Sequence, residues 1–113
     1  MNETATEQKG AREHGVQRVD GIMQAWGLSN HDMVQAAIPE QLTHKQVQRA
    51  RNGRQLTLAM MQKITRVLNE AVLQRLGEEE AETYTPYMHR ELFSYAKGYD
   101  AAWQDPNATL YPR

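Results

Sequence analysis

His44, Lys45, Gln46, Gln48 and Arg49 crowd into positions 44–49, directly after Thr43. Together they offer two cations, two amides and an imidazole. There are no paired carboxylates here. Side chains of these types bind through hydrogen bonds and charge rather than making or breaking bonds. On the non-core face of a helix, this is the set needed to lie in the major groove of DNA and meet base edges. Only Val47 and Ala50 in the same stretch are small and apolar, so such a helix touches a core along one narrow line.

Other chemistries find little support. Among His14, His31, His44 and His89 no pair has the i, i+4 spacing of a helical metal site. His31 and Asp32 are adjacent, which points their side chains apart on a helix. The absence of cysteine excludes disulfides and thiolate metal sites. Neither Ser29 nor Ser94 has nucleophile-elbow context, and the glycines form no phosphate-cradling motif. The sequence therefore leads us to expect no metal, no cofactor and no catalytic residue: a binding protein, not an enzyme.

A chain of 113 residues has room for one domain with a single modest core. Its 40% apolar content and mean hydropathy of -0.78 describe a polar surface. No apolar run approaches the ~18 residues of a membrane span. The first residues, MNETATEQKGAREHG, lack the apolar region of a secretory signal, so a cytoplasmic location is expected. The net charge of -1 conceals an asymmetry. Residues 1–40 hold three Lys/Arg against six Asp/Glu, a net of -3. Residues 41–75 hold seven Lys/Arg against Glu70 alone, a net of +6. Residues 76–113 hold three against seven, a net of -4. A basic centre between acidic ends is the layout of a polyanion-binding face confined to one element.

The elements that must position these residues are helical. Residues 1–14 are polar and aperiodic, and predict a mobile arm. Val16, Val19, Ile22 or Met23, and Trp26 then recur at helical spacing, and Gly27 ends the run. Ser29 opens a second helix with Asp32 at the capping-box position, placing Met33, Val34 and Ala37 inward. Pro39 stops it, because a proline pushes the preceding residue out of the α region, so 38–41 is the turn. Thr43 opens the third helix with Gln46 in capping-box register, and Leu42 and Val47 stand at hydrophobic-staple spacing. Asn52-Gly53 ends it. Thr57 caps a longer helix whose stripe runs Leu58, Met61, Ile64, Leu68, Val72 and Leu76, widened by Val67 and Ala71. The acidic run at 78–84 reads as a solvated linker. Thr85-Pro86 reads as the start of a fifth helix over 86–102, with Met88, Leu92, Tyr95 and Tyr99 as its stripe and an extended tail beyond. The expectation is all-α, about five helices near 16–26, 30–37, 44–52, 58–76 and 86–102. The helix-turn-helix domain spans 15–77, and the aromatic helix with its tail spans 85–113.

The segment from Leu28 to Leu68 resembles the helix-turn-helix domains of the phage-repressor type, the lambda repressor and Cro superfamily. The resemblance rests on Leu28-Ser29, Thr43, the Arg51-Asn52-Gly53-Arg54 break, and Thr57-Leu58 leading to Ile64 and Leu68. It covers 41 of the 113 residues. Between Ser29 and Thr43 the sequence carries about three residues more than the common family spacing, in the turn. The Trp-Gly-Leu-Ser and Leu-Thr-His-Lys phrases also resemble a set of small bacterial proteins, a likeness that implies no function. The repressor resemblance implies base contacts for His44, Lys45 and Gln46, with Gln48 and Arg49 one turn on. It implies phosphate contacts for Ser29, Thr43, Arg51, Asn52 and Arg54, which supply affinity and register. Double-stranded DNA is then the partner, and transcriptional regulation the role.

Seven of the eight aromatic residues lie beyond residue 80. They can cover the core of the preceding helices, or form a homodimer interface through the C-terminal aromatic helix. A second class of function stays open at this point: a protein–protein interaction module, an antitoxin or accessory factor, using the same scaffold without DNA. The longer turn points to the module, and the basic centre to DNA.

Overall fold

Three hydroxyls open the central helices. Ser29 Oγ accepts from the Asp32 N–H at 3.1 Å, Thr43 Oγ1 from the Gln46 N–H at 3.0 Å, and Thr57 Oγ1 from the Met60 N–H at 3.1 Å. In the first two the partner reciprocates: Asp32 Oδ2 accepts from the Ser29 N–H at 2.8 Å, and Gln46 Oε1 from the Thr43 N–H at 3.0 Å. Each box satisfies amides that a helix start leaves unbonded. In the computed structural model, which describes residues 12–112, the fold is all-α. Its helices are α1 Arg18–Trp26, α2 Asn30–Ala36, α3 His44–Asn52, α4 Leu58–Leu73, α5 Glu78–Thr83 and α6 His89–Leu92, followed by a 3-10 turn at Ala108–Leu110. Among the described residues there is no sheet, only an isolated antiparallel bridge between Glu13 and Arg54.

The apolar periods go where the sequence sends them. α1 buries Val19, Ile22, Met23 and Trp26, and ends at Gly27 in the left-handed conformation (φ 69°). There the Leu28 N–H reaches back to Met23 O at 2.8 Å, closing the last turn. α3 buries Val47 and Ala50 alone, and Leu42 ahead of its cap is buried in the same core. α4 supplies the long stripe, from Met61 to Val72. α2 packs on α3 and α4, α1 on α3, and α6 on α4. A fully buried side chain of Val47's size is worth about 1.5–3 kcal/mol, so one contact line holds α3 in place.

Three expectations in the N-terminal half change. The helix expected from Val16 starts at Arg18, and Val16 is 71% exposed. The cause is Gln17, which is buried and used as a cross-link: its amide donates to Gly15 O at 2.9 Å and accepts from the Ser94 N–H at 2.6 Å. Residues 12–14, expected within a mobile arm, are held against the break after α3. The His14 N–H donates to Gly53 O, and the Gln55 N–H to Arg12 O. Gly53 (φ 96°) leaves no room for a side chain, since a Cβ there would sit 1.8 Å from Gly15 O. The remainder of that arm, 1–11, lies outside the described residues. Leu58, expected on the inward stripe, is 55% exposed at the first position of α4.

The C-terminal part departs furthest. The expected linker at 78–84 contains α5, whose first turn is Glu78, Glu79 and Glu80. Carboxylates there complement the helix dipole, and Glu80 Oε1 accepts from the Gly77 N–H at 3.0 Å. The helix expected over 86–102 shrinks to His89–Leu92. Side chains from the helical core take the backbone groups that a longer helix would have paired internally. Asn69 holds the N–H and the carbonyl of Tyr87 (2.8 and 3.1 Å). Gln17 takes the Ser94 N–H, and Arg18 donates to the carbonyls of Glu91, Asp100 and Ala101 at 2.9–3.3 Å. Gly98 (φ 88°) lets the chain reverse. The aromatics then turn inward. Trp26 Nε1 donates to Tyr87 Oη (2.9 Å), and the hydroxyls of Tyr87 and Tyr111 both donate to Asp105 Oδ2. Tyr84, Tyr87 and Phe93 are buried in the same core as the helices. The helix expected to carry a homodimer surface is thus reduced to a single turn, and Met88 of its stripe is 44% exposed.

Candidate nucleic-acid interface

α3 is fixed by its cap, its two buried residues, and a chain of side-chain bonds that reaches it from α1 and α2. Gln24 Nε2 donates to Asp20 Oδ2 (2.7 Å), and Arg51 Nε meets Asp20 Oδ1 (2.6 Å). Arg51 Nη1 donates to Asn30 Oδ1 (2.8 Å), and Asn30 Nδ2 to Gln48 Oε1 (2.8 Å). Gln48 Nε2 then donates to Asn52 Oδ1 (2.9 Å). Asp20 and Arg51 are only 19% and 16% exposed, so their ion pair is shielded from solvent.

This network sorts the ten candidate residues. His44, Lys45 and Arg49 are exposed, and none has a hydrogen-bond or ion-pair partner among the described residues. Gln48 is exposed, but both ends of its amide are engaged. Gln46 is half-buried, with its oxygen in the capping box and its NH2 free of any partner among the described residues. Asn52 is exposed with its oxygen bonded to Gln48. Ser29 and Thr43 spend their oxygens as cap acceptors, yet each hydroxyl keeps its own proton to donate. Arg51 braces α1, α2 and α3, and Arg54 stands 3.6 Å from Glu13. Asp32, in the first turn of α2, has its carboxyl held below the ordinary range, by the Ser29 backbone N–H above all, then by the Ser29 hydroxyl and Arg75, against the opposing effect of burial.

The charge asymmetry of the sequence does not survive folding intact. Arg51 pairs with Asp20, Arg54 with Glu13, Arg66 with Glu40 and Arg75 with Asp32. All four acids, Glu13, Asp20, Asp32 and Glu40, come from the acidic N-terminal part, so its described carboxylates pair with the basic centre. Lys63 Nζ donates to the Gln41 carbonyl in the turn before α3. The cations of 41–75 left without a polar partner among the described residues are Lys45 and Arg49, four apart on α3 and therefore on one face. The longer turn is tied to α4 through Arg66–Glu40 and Lys63–Gln41, while α2 and α3 still pack together.

Sequence reasoning missed Asp20 and Asn30, the two residues that decide what Arg51 and Gln48 do. Neither carries a local signal, because their partners lie 31 and 18–21 positions away. It also missed that His31 of α2 lies against His44 of α3, with ring centroids 5.8 Å apart. No family model, curated protein or solved structure matches the chain.

Proposed function

We propose that this protein binds duplex DNA through the outward face of α3, as a phage-repressor-like regulator of transcription. One observation carries the reading. In a segment whose other arginines are all paired with carboxylates, Lys45 and Arg49 stand exposed and unpaired on one helix face, beside exposed His44. Unpaired cations on a rigid, capped helix cost little to bring against phosphates or guanine edges. On this reading the hydroxyls of Ser29 and Thr43, at the starts of α2 and α3, donate to flanking phosphates. Arg51 and Gln48 act within the protein on this reading, and Arg54 contributes only if it leaves Glu13. Such a protein is a binder rather than an enzyme and works in the cytoplasm. No helix of the described residues is long and apolar enough to cross a membrane.

The pairing of four arginines with internal acids favours a second reading, an interaction module that docks another protein on the same face. Titration of the protein against a mixed-sequence duplex at ~50 mM salt separates them, since non-specific binding is strongest there. A mobility shift supports DNA. Its absence at protein concentrations well above ~100 μM removes the DNA reading and leaves the module.

A further inference from the structure

His31 and His44 come from different helices and are 13 positions apart, yet the fold places their rings side by side. Their centroids are 5.8 Å apart and their planes differ by 23°. Both residues are exposed, and neither ring has a hydrogen-bond partner among the described residues. At that distance the two rings form a loosely stacked pair across the helices, and no hydrogen-bond partner among the described residues occupies their nitrogens. A Zn2+ ion sits about 2.0–2.1 Å from an imidazole nitrogen, hence roughly 3.2 Å from the ring centre. Two imidazoles on one ion therefore bring their centroids to about 5 Å in tetrahedral geometry and about 6.4 Å when opposed. The observed separation falls inside this window, so rotation about the exposed side-chain torsions suffices to aim both nitrogens at one point.

We propose that His31 and His44 form a two-imidazole site for a late first-row divalent cation, Zn2+, Ni2+ or Cu2+, which clips the start of α2 to the start of α3. Imidazole ligands select these ions over Mg2+ and Ca2+, which prefer oxygen. No group of three or more His, Cys, Asp or Glu side chains converges among the described residues, so water completes the coordination. The nearby Asp32 carboxylate is committed to the α2 cap and Arg75, and it contributes negative charge rather than a ligand. Neighbouring Lys45 opposes the ion by charge, which sets the affinity below that of a closed structural site. The sequence spacing, with no i, i+4 pair, could not disclose this site, because it is made across two helices. It stands whatever α3 binds.

The test is calorimetric titration of the tag-free full chain with Ni2+ and Zn2+, with Mg2+ as control, beside the variants His31→Gln, His44→Gln and His89→Gln. One equivalent of Ni2+ or Zn2+ is expected, and none of Mg2+. Two ligands fixed on one scaffold bind far more tightly than either alone, so each of the first two variants should weaken binding by about a hundredfold. His89→Gln should bind as the parent does. Melting without metal checks folding, which these exposed positions should leave unchanged. No binding by the parent chain, or full binding retained when either His31 or His44 is removed, overturns the proposal.

Discussion

Asp20 and Arg51 show how one side chain can change the meaning of another. In sequence Arg51 is one cation among seven; in the fold it is a shielded brace between α1, α2 and α3. Removing Asp20 leaves a partly buried guanidinium with a vacant donor. Asp20→Ala should therefore cost about 2 kcal/mol, the scale of a hydrogen bond to a charged group. Arg66→Ala, whose pair with Glu40 is roughly half exposed at both ends, should cost less than ~1 kcal/mol. Denaturant midpoints of the two variants check this. Equal midpoints would mean that the buried brace contributes no more than a surface pair.

Among the elements, those governed by local rules were legible in advance, and those governed by distant partners were not. The starts of α2, α3 and α4 follow from Ser29, Thr43 and Thr57, because a cap is decided within three residues. Thr43→Ala should accordingly cost about 1 kcal/mol through the lost acceptor at the start of α3. An unchanged melting temperature, with α3 still folded by hydrogen exchange, would refute that role. The stripe of α4 was also readable, since its period and its burial agree from Met61 onward. The C-terminal region was not. Met88, Leu92, Tyr95 and Tyr99 keep a helical period, but Asn69, Gln17 and Arg18 capture the backbone there from far away in sequence. The candidate site divides likewise. The exposure of His44, Lys45 and Arg49 on α3 followed from the helix period, whereas the engagement of Gln48 and Arg51 required Asn30 and Asp20.

At the scale of the molecule, Tyr87 and Tyr111 share the Asp105 carboxylate while Tyr84 donates to Asn69, which ties the C-terminal region to the helical core. Burial first, and then the Asp105 carboxylate, raises the pKa of Tyr84, Tyr87 and Tyr111 above the ordinary 10.0. In the unfolded chain these phenols lose their protons near the ordinary value, while the folded protein retains them. Their contribution is thus fully present below pH 10 and is lost as pH rises through the raised folded values. Thermal melts between about pH 9 and pH 11 should show falling stability, with a shallower decline in Tyr87→Phe. A flat profile would contradict the burial of these hydroxyls. Folding also redistributes charge across the molecule, leaving Lys45 and Arg49 as the unpaired cations of the basic segment among the described residues. The claim that α3 meets DNA is tested most directly by the salt dependence of duplex binding for the parent, for Lys45→Ala/Arg49→Ala, and for Arg66→Ala. If both cations of α3 meet phosphates, the slope of log K against log salt should fall by roughly 1.8 in the double variant, at about 0.9 per contact, and stay unchanged in Arg66→Ala. Equal slopes together with equal affinities in all three proteins would contradict the proposal.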